Sequence, residues 1–490
     1  MDGTVTERAA TGVEGLDDVL GGGFPRSRVY LIQGDPGAGK TTLALQFLMA
    51  GRDAGERGVY VTLSETKEEL DSVARSHGWS LEGIELLSLP TELPMDEENT
   101  FFHPSQVELQ ETTRRMLDAI ERVRPQRVVI DSLTEIQLLA ESSLRFRRQV
   151  MALKDFFTAQ RSTVLMLEDQ SFEAKDSALR SIVNGVVVLQ NLAPTYGSER
   201  RRLNVVKLRA VKYRGGFHDF KIERGGLVVF PRLVAAEHHV GYVREAASTG
   251  LEQLDQVLGG GLDRGTSSLF LGPAGSGKSA IAMKCAGTSA ERGEKAAIFA
   301  FDEGLGTLVA RSEGLGTPLR RLMESGALLV SQVDPAEVSP GEFAQRVRSL
   351  VEHDGVRMVV IDSLNGYLSA MPEERMLSVH LHELFTYLRQ RGVVIISTVA
   401  QMGMVSALPT SQIEVSYVAD TVVVFRYFEA RGEVRKALSV VKKRSGPHDR
   451  SIRELCLEDG EITLSEPLRE FRGVLTGVPF IHEPGSSTMA

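Results

Sequence analysis

The stretch GDPGAGKT at residues 34–41 decides the fold of this 490-residue chain, and a related stretch, GPAGSGKS, follows at residues 272–279. Both have the spacing G-x-x-x-x-G-K-[ST], in which glycines let successive backbone N–H groups curl around phosphates. The lysine of such a loop reaches the outer phosphate oxygens, and the last hydroxyl is a ligand for Mg²⁺. The sequence therefore predicts two nucleotide-binding sites on one chain.

The predicted nucleotide contacts are loop residues together with the residue that follows each loop. They are Gly34, Gly37, Ala38, Gly39, Lys40, Thr41 and Thr42 in the first half and Gly272, Gly275, Ser276, Gly277, Lys278, Ser279 and Ala280 in the second.

The two loops belong to a longer repeat. The segment TGVEGLDDVLGGG at residues 11–23 returns as TGLEQLDQVLGGG at residues 249–261, and 16 of the 30 positions from Thr11 to Lys40 are identical in the second copy. Chance does not produce such a match, so the chain is a tandem duplication of one fold. We predict domains at residues 1–235 and 248–470, a linker at 236–247 and a tail at 471–490.

Composition is that of an ordinary soluble globular protein, with 42% hydrophobic and 25% charged residues. The net charge of −9 argues against a dedicated surface for nucleic acid or anionic membranes. The two cysteines, Cys285 and Cys456, have no metal-ligand partners at useful spacing, so neither a disulfide framework nor a zinc site is expected. Without a leader or an apolar run of about 18 residues, the sequence predicts a cytoplasmic protein that does not enter membranes.

Short apolar strands alternate with helices through each half. A strand at 29–32 enters the first loop, a helix at 41–51 leaves it, and further strands are expected at 58–63, 128–131, 163–167 and 186–189. This alternation predicts an α/β fold with a mostly parallel sheet covered by helices on both faces. Antiparallel strands are expected later in each repeat, at 203–211 and 217–229 in the first half, with turns at residues 225–226 and 459–460.

A carboxylate closes one apolar strand in each half, within the repeated letters VVIDSL. Asp131 and Asp362 are therefore predicted to orient Mg²⁺ beside the phosphates, together with the loop hydroxyls of Thr41 and Ser279. The alternative is that each aspartate merely caps the end of its strand.

A second acidic position lies 25 residues after each loop lysine, directly beyond the next strand. Glu65 and Glu303 could there face the outer phosphate and polarise the attacking water, although a glutamate at a strand end is also an ordinary solvated residue. The preceding residue is Ser64 in the first half and Asp302 in the second. We therefore predict one catalytic carboxylate in the first site and two in the second.

Basic pairs occur on equivalent strands late in each repeat. Lys207 and Arg209, and likewise Lys442 and Arg444, are two residues apart, so both charges of a pair face one side of a strand. Being remote from their own loops in sequence, they suit contact with a phosphate bound by an adjacent subunit, which implies a ring. The alternative is a solvated sheet edge protected by lysine.

Taken together, the repeated opening segment, the loops, the acidic residues and the basic strands resemble the KaiC family of RecA-like ATPases, over residues 11–479. The resemblance implies two tandem RecA-like P-loop NTPase domains, ATP and Mg²⁺ as cofactors, and a homohexamer of two stacked rings with ATP between subunits. It implies slow ATP hydrolysis in the first ring and autophosphorylation in the second. A signalling protein is the partner expected outside the hexamer, in a signalling or timing role.

Residue-by-residue comparison places the family's catalytic acids on Ser64 and Glu65, and on Asp302 and Glu303. Its phospho-acceptor pair falls on Ser416 and Tyr417, so Ser416 is the remaining candidate acceptor. A serine before a strand is alternatively a structural turn residue.

Two rival functions share this core. A RecA-like DNA repair or recombination ATPase needs basic loops for single-stranded DNA, whereas the candidate loops at 135–144 and 401–415 are nearly free of lysine and arginine. A non-catalytic scaffold would assemble on ATP and present a surface to a signalling partner. Measured turnover separates the scaffold from an ATPase.

Overall fold

The computed structural model describes residues 7–89, 104–140, 142–169, 177–194, 197–369, 377–401, 419–458, 460–474 and 480–481. The chain divides into two compact units, Met1–Arg232 and Leu233–Ala490. Each unit is built around its own nine-stranded sheet. One phosphate-binding loop therefore falls in each unit.

The first unit contains a mixed sheet and a separate two-stranded pair. Its strands are β1 (Arg8–Ala9), β2 (Phe24–Pro25), β3 (Val29–Gly34), β4 (Gly58–Thr62), β5 (Ile84–Ser88), β6 (Arg127–Asp131), β7 (Thr163–Asp169), β8 (Gly185–Leu192), β9 (Arg200–Leu208), β10 (Phe217–Glu223) and β11 (Gly226–Phe230). The sheet order is β11-β10-β9-β8-β3-β7-β6-β4-β5. Along the part of the sheet that runs β8-β3-β7-β6-β4-β5, each strand is parallel to the next. On its other side β8 pairs antiparallel with β9, and β9 with β10 and β10 with β11 are also antiparallel pairs.

Helices cover both faces of this sheet. They are α1 (Leu16–Leu20), α2 (Lys40–Asp53), α3 (Lys67–Ser76), α4 (Pro104–Val123), α5 (Leu133–Ala140), α6 (Ser143–Gln160) and α7 (Ser177–Ile182). On one face Phe47 of α2 belongs to a buried cluster with Ile32 of β3, and on the other Phe157 of α6 belongs to a cluster with the adjacent Leu31. Burial on both faces explains why the parallel strands are almost continuously apolar.

The second unit repeats this plan. Its strands are β12 (Ala246–Ala247), β13 (Leu262–Asp263), β14 (Ser267–Gly272), β15 (Ala296–Ala300), β16 (Leu328–Gln332), β17 (Met358–Asp362), β18 (Val394–Ala400), β19 (Thr421–Ala430), β20 (Glu433–Lys443), β21 (Arg453–Glu458), β22 (Glu461–Pro467), β23 (Phe471–Arg472) and β24 (Phe480–Ile481). Its helices are α8 (Glu252–Val257), α9 (Lys278–Glu291), α10 (Leu305–Glu313), α11 (Leu319–Glu324), α12 (Pro340–Glu352), α13 (Leu364–Ser369) and α14 (Leu377–Gln390). The sheet order is β16-β15-β17-β18-β14-β19-β20-β21-β22.

The predicted fold class is confirmed, since each unit has a mostly parallel sheet flanked by helices and extended by antiparallel strands. The edge strands β5 and β16 were not predicted, because they are short and only partly buried and so lack a clear apolar pattern. The predicted loop at 135–144 lies largely in α5 and the start of α6. The apolar residues Leu133, Ile136 and Ala140 of α5 recur at helical spacing and are buried.

Residues between the two repeats pack on the second unit. A short 3₁₀ helix, Ala235–Glu237, lies beside α14, where the backbone N–H of Ala235 donates to a Glu383 carboxylate oxygen at 3.0 Å. The ring of His238 meets that of Tyr387 edge to face at 5.2 Å. The whole of the segment predicted as a linker, residues 236–247, lies within the second compact unit.

A buried arginine anchors the strand that carries Asp131. Arg127, at the start of β6, is 1% exposed and donates to the backbone oxygens of Phe47 at 2.7 Å and Ala10 at 2.6 Å. Its charge is paired with Glu56, which also accepts from Arg26. These contacts tie β6 to α2, the helix that follows the phosphate-binding loop.

We expect Glu56→Ala to lower the free energy of unfolding of the first unit by about 3–5 kcal/mol, because it leaves a buried guanidinium without its counter-charge. Glu85→Ala is the matched control, since it breaks an exposed pair with Arg122 and should cost less than about 1 kcal/mol. Denaturant titration of both variants measures the difference. Equal costs would contradict the anchoring role of the Arg127–Glu56 pair.

Candidate active sites

The phosphate-binding loops follow the central strands β3 and β14, at the carboxyl ends of the parallel strands. Gly39 and Gly277 immediately precede α2 and α9, with φ values of 96° and 103° that favour glycine. A Cβ atom on Gly39 would also lie 2.7 Å from Cδ1 of Ile222. Backbone N–H groups at such a helix start suit an anionic phosphate.

The loop lysines lie within their loops. Lys40 Nζ donates to the Gly34 carbonyl oxygen at 2.9 Å, and Lys278 Nζ donates to the equivalent Gly272 oxygen, also at 2.9 Å. Burial lowers the pKa of Lys278 to about 8. Both ammonium groups are therefore held beside the loop backbone, where a phosphate chain would lie.

Lys40 also forms an ion pair with Asp169, at 2.7 Å. Asp169 was missed in the sequence, although it ends β7, the strand beside β3, and so could have been found from the rule that parallel strands share a carboxyl edge. Ala400 ends the equivalent strand β18 of the second unit. The two loop lysines therefore have different electrostatic surroundings.

Each loop hydroxyl meets its predicted carboxylate partner. Thr41 Oγ1 lies 3.3 Å from Asp131 Oδ2, and Ser279 Oγ lies 3.0 Å from Asp362 Oδ1. Mg²⁺ is usually held in proteins by one or two oxygen ligands of this kind together with the phosphates of the substrate. The donor set in both units therefore fits Mg²⁺.

A further hydroxyl supports each of these carboxylates, and neither was predicted. The phenol of Tyr60 donates to Asp131 Oδ2, and the Thr398 hydroxyl donates to Asp362 Oδ1. Burial, followed by the nearby Asp131 charge, raises the pKa of Tyr60, so the phenol keeps its proton and acts as the donor. A tyrosine or threonine inside an apolar strand gives no sequence signal that separates it from core packing.

Glu65 is held between the end of β4 and the start of α3. Its backbone N–H donates to Thr62 Oγ1 at 2.8 Å, and the next residue, Thr66, caps α3 through reciprocal hydrogen bonds with Glu69. Burial raises the pKa of Glu65 to about 7, with smaller contributions from the charges of Asp131 and Glu69. Within the described residues its Oε2 atom is buried without a hydrogen-bond partner, which suits a general base awaiting a proton donor.

The two predicted carboxylates of the second site have separate partners. Glu303 forms an ion pair with Arg311 of α10 at 2.8 Å, whereas Asp302 accepts a hydrogen bond from Ser363. Burial raises the pKa of Glu303, and the Arg311 charge opposes that rise. Arg311 was missed in the sequence because an arginine eight residues further along, on a surface helix, has no distinctive pattern.

The basic pairs lie at the end of the sheet opposite the loops. Leu208 pairs with Gly185 at the start of β8, whereas Gly34 pairs with Leu189. These two positions on β8 are four residues apart, which corresponds to about 13 Å along a strand. Lys207 donates to the Val183 carbonyl oxygen at 2.7 Å.

The other basic residues also contact their own unit. Arg209 donates to the Ser181 carbonyl oxygen at 2.9 Å, Lys442 donates to that of Ala419 at 2.7 Å, and Arg444 lies 3.8 Å from Asp420. Both arginines are nevertheless exposed. Each follows the last residue of its strand, and none of these four basic side chains reaches its own loop in the contacts seen among the described residues. The candidate acceptor Ser416 and its neighbour Tyr417 lie outside the described residues.

The family pattern of the KaiC ATPases matches residues 9–234 and again residues 247–469, so both units and both loops are covered. The chain belongs to the KaiC family. It is 26% identical over 487 residues to the circadian clock oscillator protein KaiC of Thermosynechococcus vestitus, with 96% of this chain and 92% of that protein covered. It is 27% identical over 484 residues to the protein of the same name from Synechococcus elongatus, covering 96% and 91%.

A third relative carries a different name. The circadian clock protein KaiC3 of Synechocystis is 25% identical over 488 residues, with 96% of this chain and 94% of that protein covered. Among helices in the described ranges, none combines the length and the apolar character needed to cross a membrane.

We expect kcat/KM of the first KaiC-type site to rise with pH through about 7, because a general base accepts a proton only when it is ionised and the pKa of the candidate base Glu65 lies near that value. Phosphate release would be measured from about pH 5.5 to 8.5 in the Lys278→Ala protein, which confines nucleotide turnover to the first site. Glu69→Gln retains the helix cap but removes one charge that raises the pKa, so the midpoint should move to lower pH. A flat profile in this range would contradict the role of Glu65 as the base.

Proposed function

We propose that this chain is an ATPase whose two sites lie at subunit interfaces of a homohexameric double ring. The observation that carries the proposal is the convergence, in the first unit, of a loop lysine, the Thr41–Asp131 pair and a half-buried glutamate at one edge of the sheet. The second unit repeats the loop and the hydroxyl–carboxylate pair. Membership of an ATPase family supports ATP as the nucleotide.

In the first site each group has a separate task. The N–H groups of the loop and Lys40 bind the phosphates, while Thr41 and Asp131 would hold Mg²⁺, which would neutralise phosphate charge when bound. Glu65 takes a proton from water as the water oxygen bonds to the γ-phosphorus. The bond between that phosphorus and the bridging oxygen breaks, and ADP leaves with the bonding electrons.

Assembly into a ring is supported by the position of the arginines. Arg209 lies at the end of the sheet away from its own loop, and it is exposed, as is the equivalent Arg444. We propose that both arginines, together with Lys207 and Lys442, contact the phosphates bound by the neighbouring subunit. Such a contact would require hexamer formation for full activity.

The second site is proposed to be the slower hydrolase. Glu303 is held by Arg311, whereas Glu65 has no such counter-charge in the described part of the chain. A carboxylate held in an ion pair is a weaker base. We propose that this site transfers a phosphoryl group to Ser416, in a signalling or timing role of the kind that the relatives' names indicate.

The proposed division of activity predicts two outcomes from one sample incubated with γ-labelled ATP and Mg²⁺. In the Lys278→Ala background, Glu65→Gln should lower the release of phosphate by about 10²–10⁴-fold, because the general base is lost. The label on the protein should disappear in the Ser416→Ala variant. Glu68→Gln is the matched control, since Glu68 is an exposed carboxylate three residues further along the chain. Assembly with negligible phosphate release in the unmodified protein would support the ATP-gated scaffold, and release that requires single-stranded DNA would support the repair ATPase.

The proposed contacts between subunits predict complementation. The Arg209→Ala and Glu65→Gln proteins should each lose activity at the first site, and the arginine change should lower kcat by about 10³-fold. Mixed rings should recover part of the activity, because some interfaces join an intact Glu65 to an intact Arg209. Arg115→Ala, an exposed arginine on α4, is the control that should retain activity by itself. Rings shown by mass to be mixed, yet inactive, would overturn the contact in trans.

A further inference from the structure

Both metal-directing carboxylates receive two hydroxyl groups on one oxygen. Asp131 Oδ2 accepts from Thr41 at 3.3 Å and from the phenol of Tyr60. Asp362 Oδ1 accepts from Ser279 at 3.0 Å and from the hydroxyl of Thr398. The first hydroxyl of each pair belongs to the loop motif, whereas the second comes from a strand of the sheet.

The strand hydroxyls reach the carboxylate from opposite sides. Tyr60 lies on β4, which pairs with one side of β6, and Thr62 of β4 is directly opposite Asp131. Thr398 lies on β18, which pairs with the other side of the equivalent strand β17, one residue beyond the pair Ile361 and Ser397. The two units therefore supply the same hydrogen bond from different neighbouring strands.

The complementary positions are apolar. The parallel registers of β4 with β6 and of β15 with β17 place Ile298 of the second unit where the first has Tyr60. Leu167 of β7 likewise corresponds to Thr398. Each unit thus has one hydroxyl residue and one aliphatic residue beside its carboxylate. The strand that carries the hydroxyl in the first unit carries the aliphatic residue in the second, and the reverse holds for the other strand.

Packing alone does not account for the two hydroxyls. Tyr60 and Thr398 are each 0% exposed, and Ile298 and Leu167 show that aliphatic side chains fill the corresponding positions. A buried hydroxyl requires a hydrogen-bond partner, and in both units the partner is the carboxylate. A donor on one oxygen restricts rotation of the carboxylate and so directs its other oxygen.

We infer that Tyr60 and Thr398 are positioning residues that orient Asp131 and Asp362 toward the metal ion of their respective sites. This inference rests on the proposed Mg²⁺-dependent function. Loss of a group that hydrogen-bonds a metal ligand typically costs 10- to 100-fold in metal affinity. Because the donors lie on different strands, the metal affinity of each site depends on a different residue of the repeat.

The test measures Mg²⁺-dependent binding of a fluorescent, non-hydrolysable ATP analogue to the full chain. The Lys278→Ala background confines binding to the first site, and Mg²⁺ is titrated in a chelator buffer. Tyr60→Phe, which keeps the ring and removes the hydroxyl, should raise the half-saturating Mg²⁺ concentration by about 10-fold or more. Binding of the analogue in excess chelator should be unchanged, which a general loss of structure would not allow.

Rescue from the other strand is the decisive arm. Tyr60→Phe combined with Leu167→Thr reproduces the arrangement of the second site and should restore the half-saturating concentration to within about threefold of its starting value, since the same bond is remade. In the Lys40→Ala background, which confines binding to the second site, Thr398→Val should raise the half-saturating Mg²⁺ concentration. Thr398→Ser keeps the hydroxyl and should leave that concentration unchanged. This second pair decides the matter if the double variant does not fold.

The outcomes separate the inference from the function on which it rests. If Asp131→Asn raises the half-saturating Mg²⁺ concentration while Tyr60→Phe and Thr398→Val leave it unchanged, the positioning role is wrong and the metal site stands. If the unmodified protein binds the analogue equally with and without Mg²⁺, the proposed metal-dependent function and the positioning role both fall. The inference is established if Tyr60→Phe and Thr398→Val both raise the half-saturating Mg²⁺ concentration, Leu167→Thr restores it in the Tyr60→Phe protein, and Thr398→Ser leaves it unchanged.

Discussion

The parallel register of β4, β6 and β7 is the constraint on which the first site depends. Because parallel strands end at one edge, residues far apart in sequence, such as Thr62, Asp131 and Asp169, meet beside the loop that follows β3. The second unit applies the same constraint through β15, β17 and β18. Buried clusters on both sheet faces hold this register, since a slip of one residue would exchange the side chains that pack in the two clusters.

Duplication preserved the backbone of the site and left the side chains around it free to diverge. Glu65 is half-buried and its buried Oε2 atom has no partner within the described residues, whereas Glu303 is paired with Arg311. Lys40 is paired with Asp169, where the second unit has Ala400. Such charges act over a few ångströms in a partly buried site, so they can give two chemistries to one fold without altering its topology.

The antiparallel extension of each sheet carries the basic residues, at the end of the strands opposite the phosphate-binding loop. The pairing of β8 with β9 has a bulge between Val186, which lies opposite Lys207, and Val187. The pairing of β19 with β20 has an equivalent bulge between Val422, which lies opposite Lys442, and Val423. Bulges re-aim the side chains next to them. Arg209 and Arg444 are exposed just beyond the ends of their strands.

The sequence by itself determined the duplication, the α/β class, both loops and the paired acidic positions, because these depend on local spacing: a phosphate-binding loop needs glycines and a lysine at set intervals, and a buried parallel strand needs a continuous apolar run. Only the tertiary structure decided which groups surround those residues. Tyr60, Thr398, Asp169 and Arg311 lie near the sites through strand pairing or helix packing, and their distance along the chain carries no signal of that proximity. The unequal surroundings of Glu65 and Glu303, which share a spacing of 25 residues from their lysines, likewise arise from burial and charge in three dimensions.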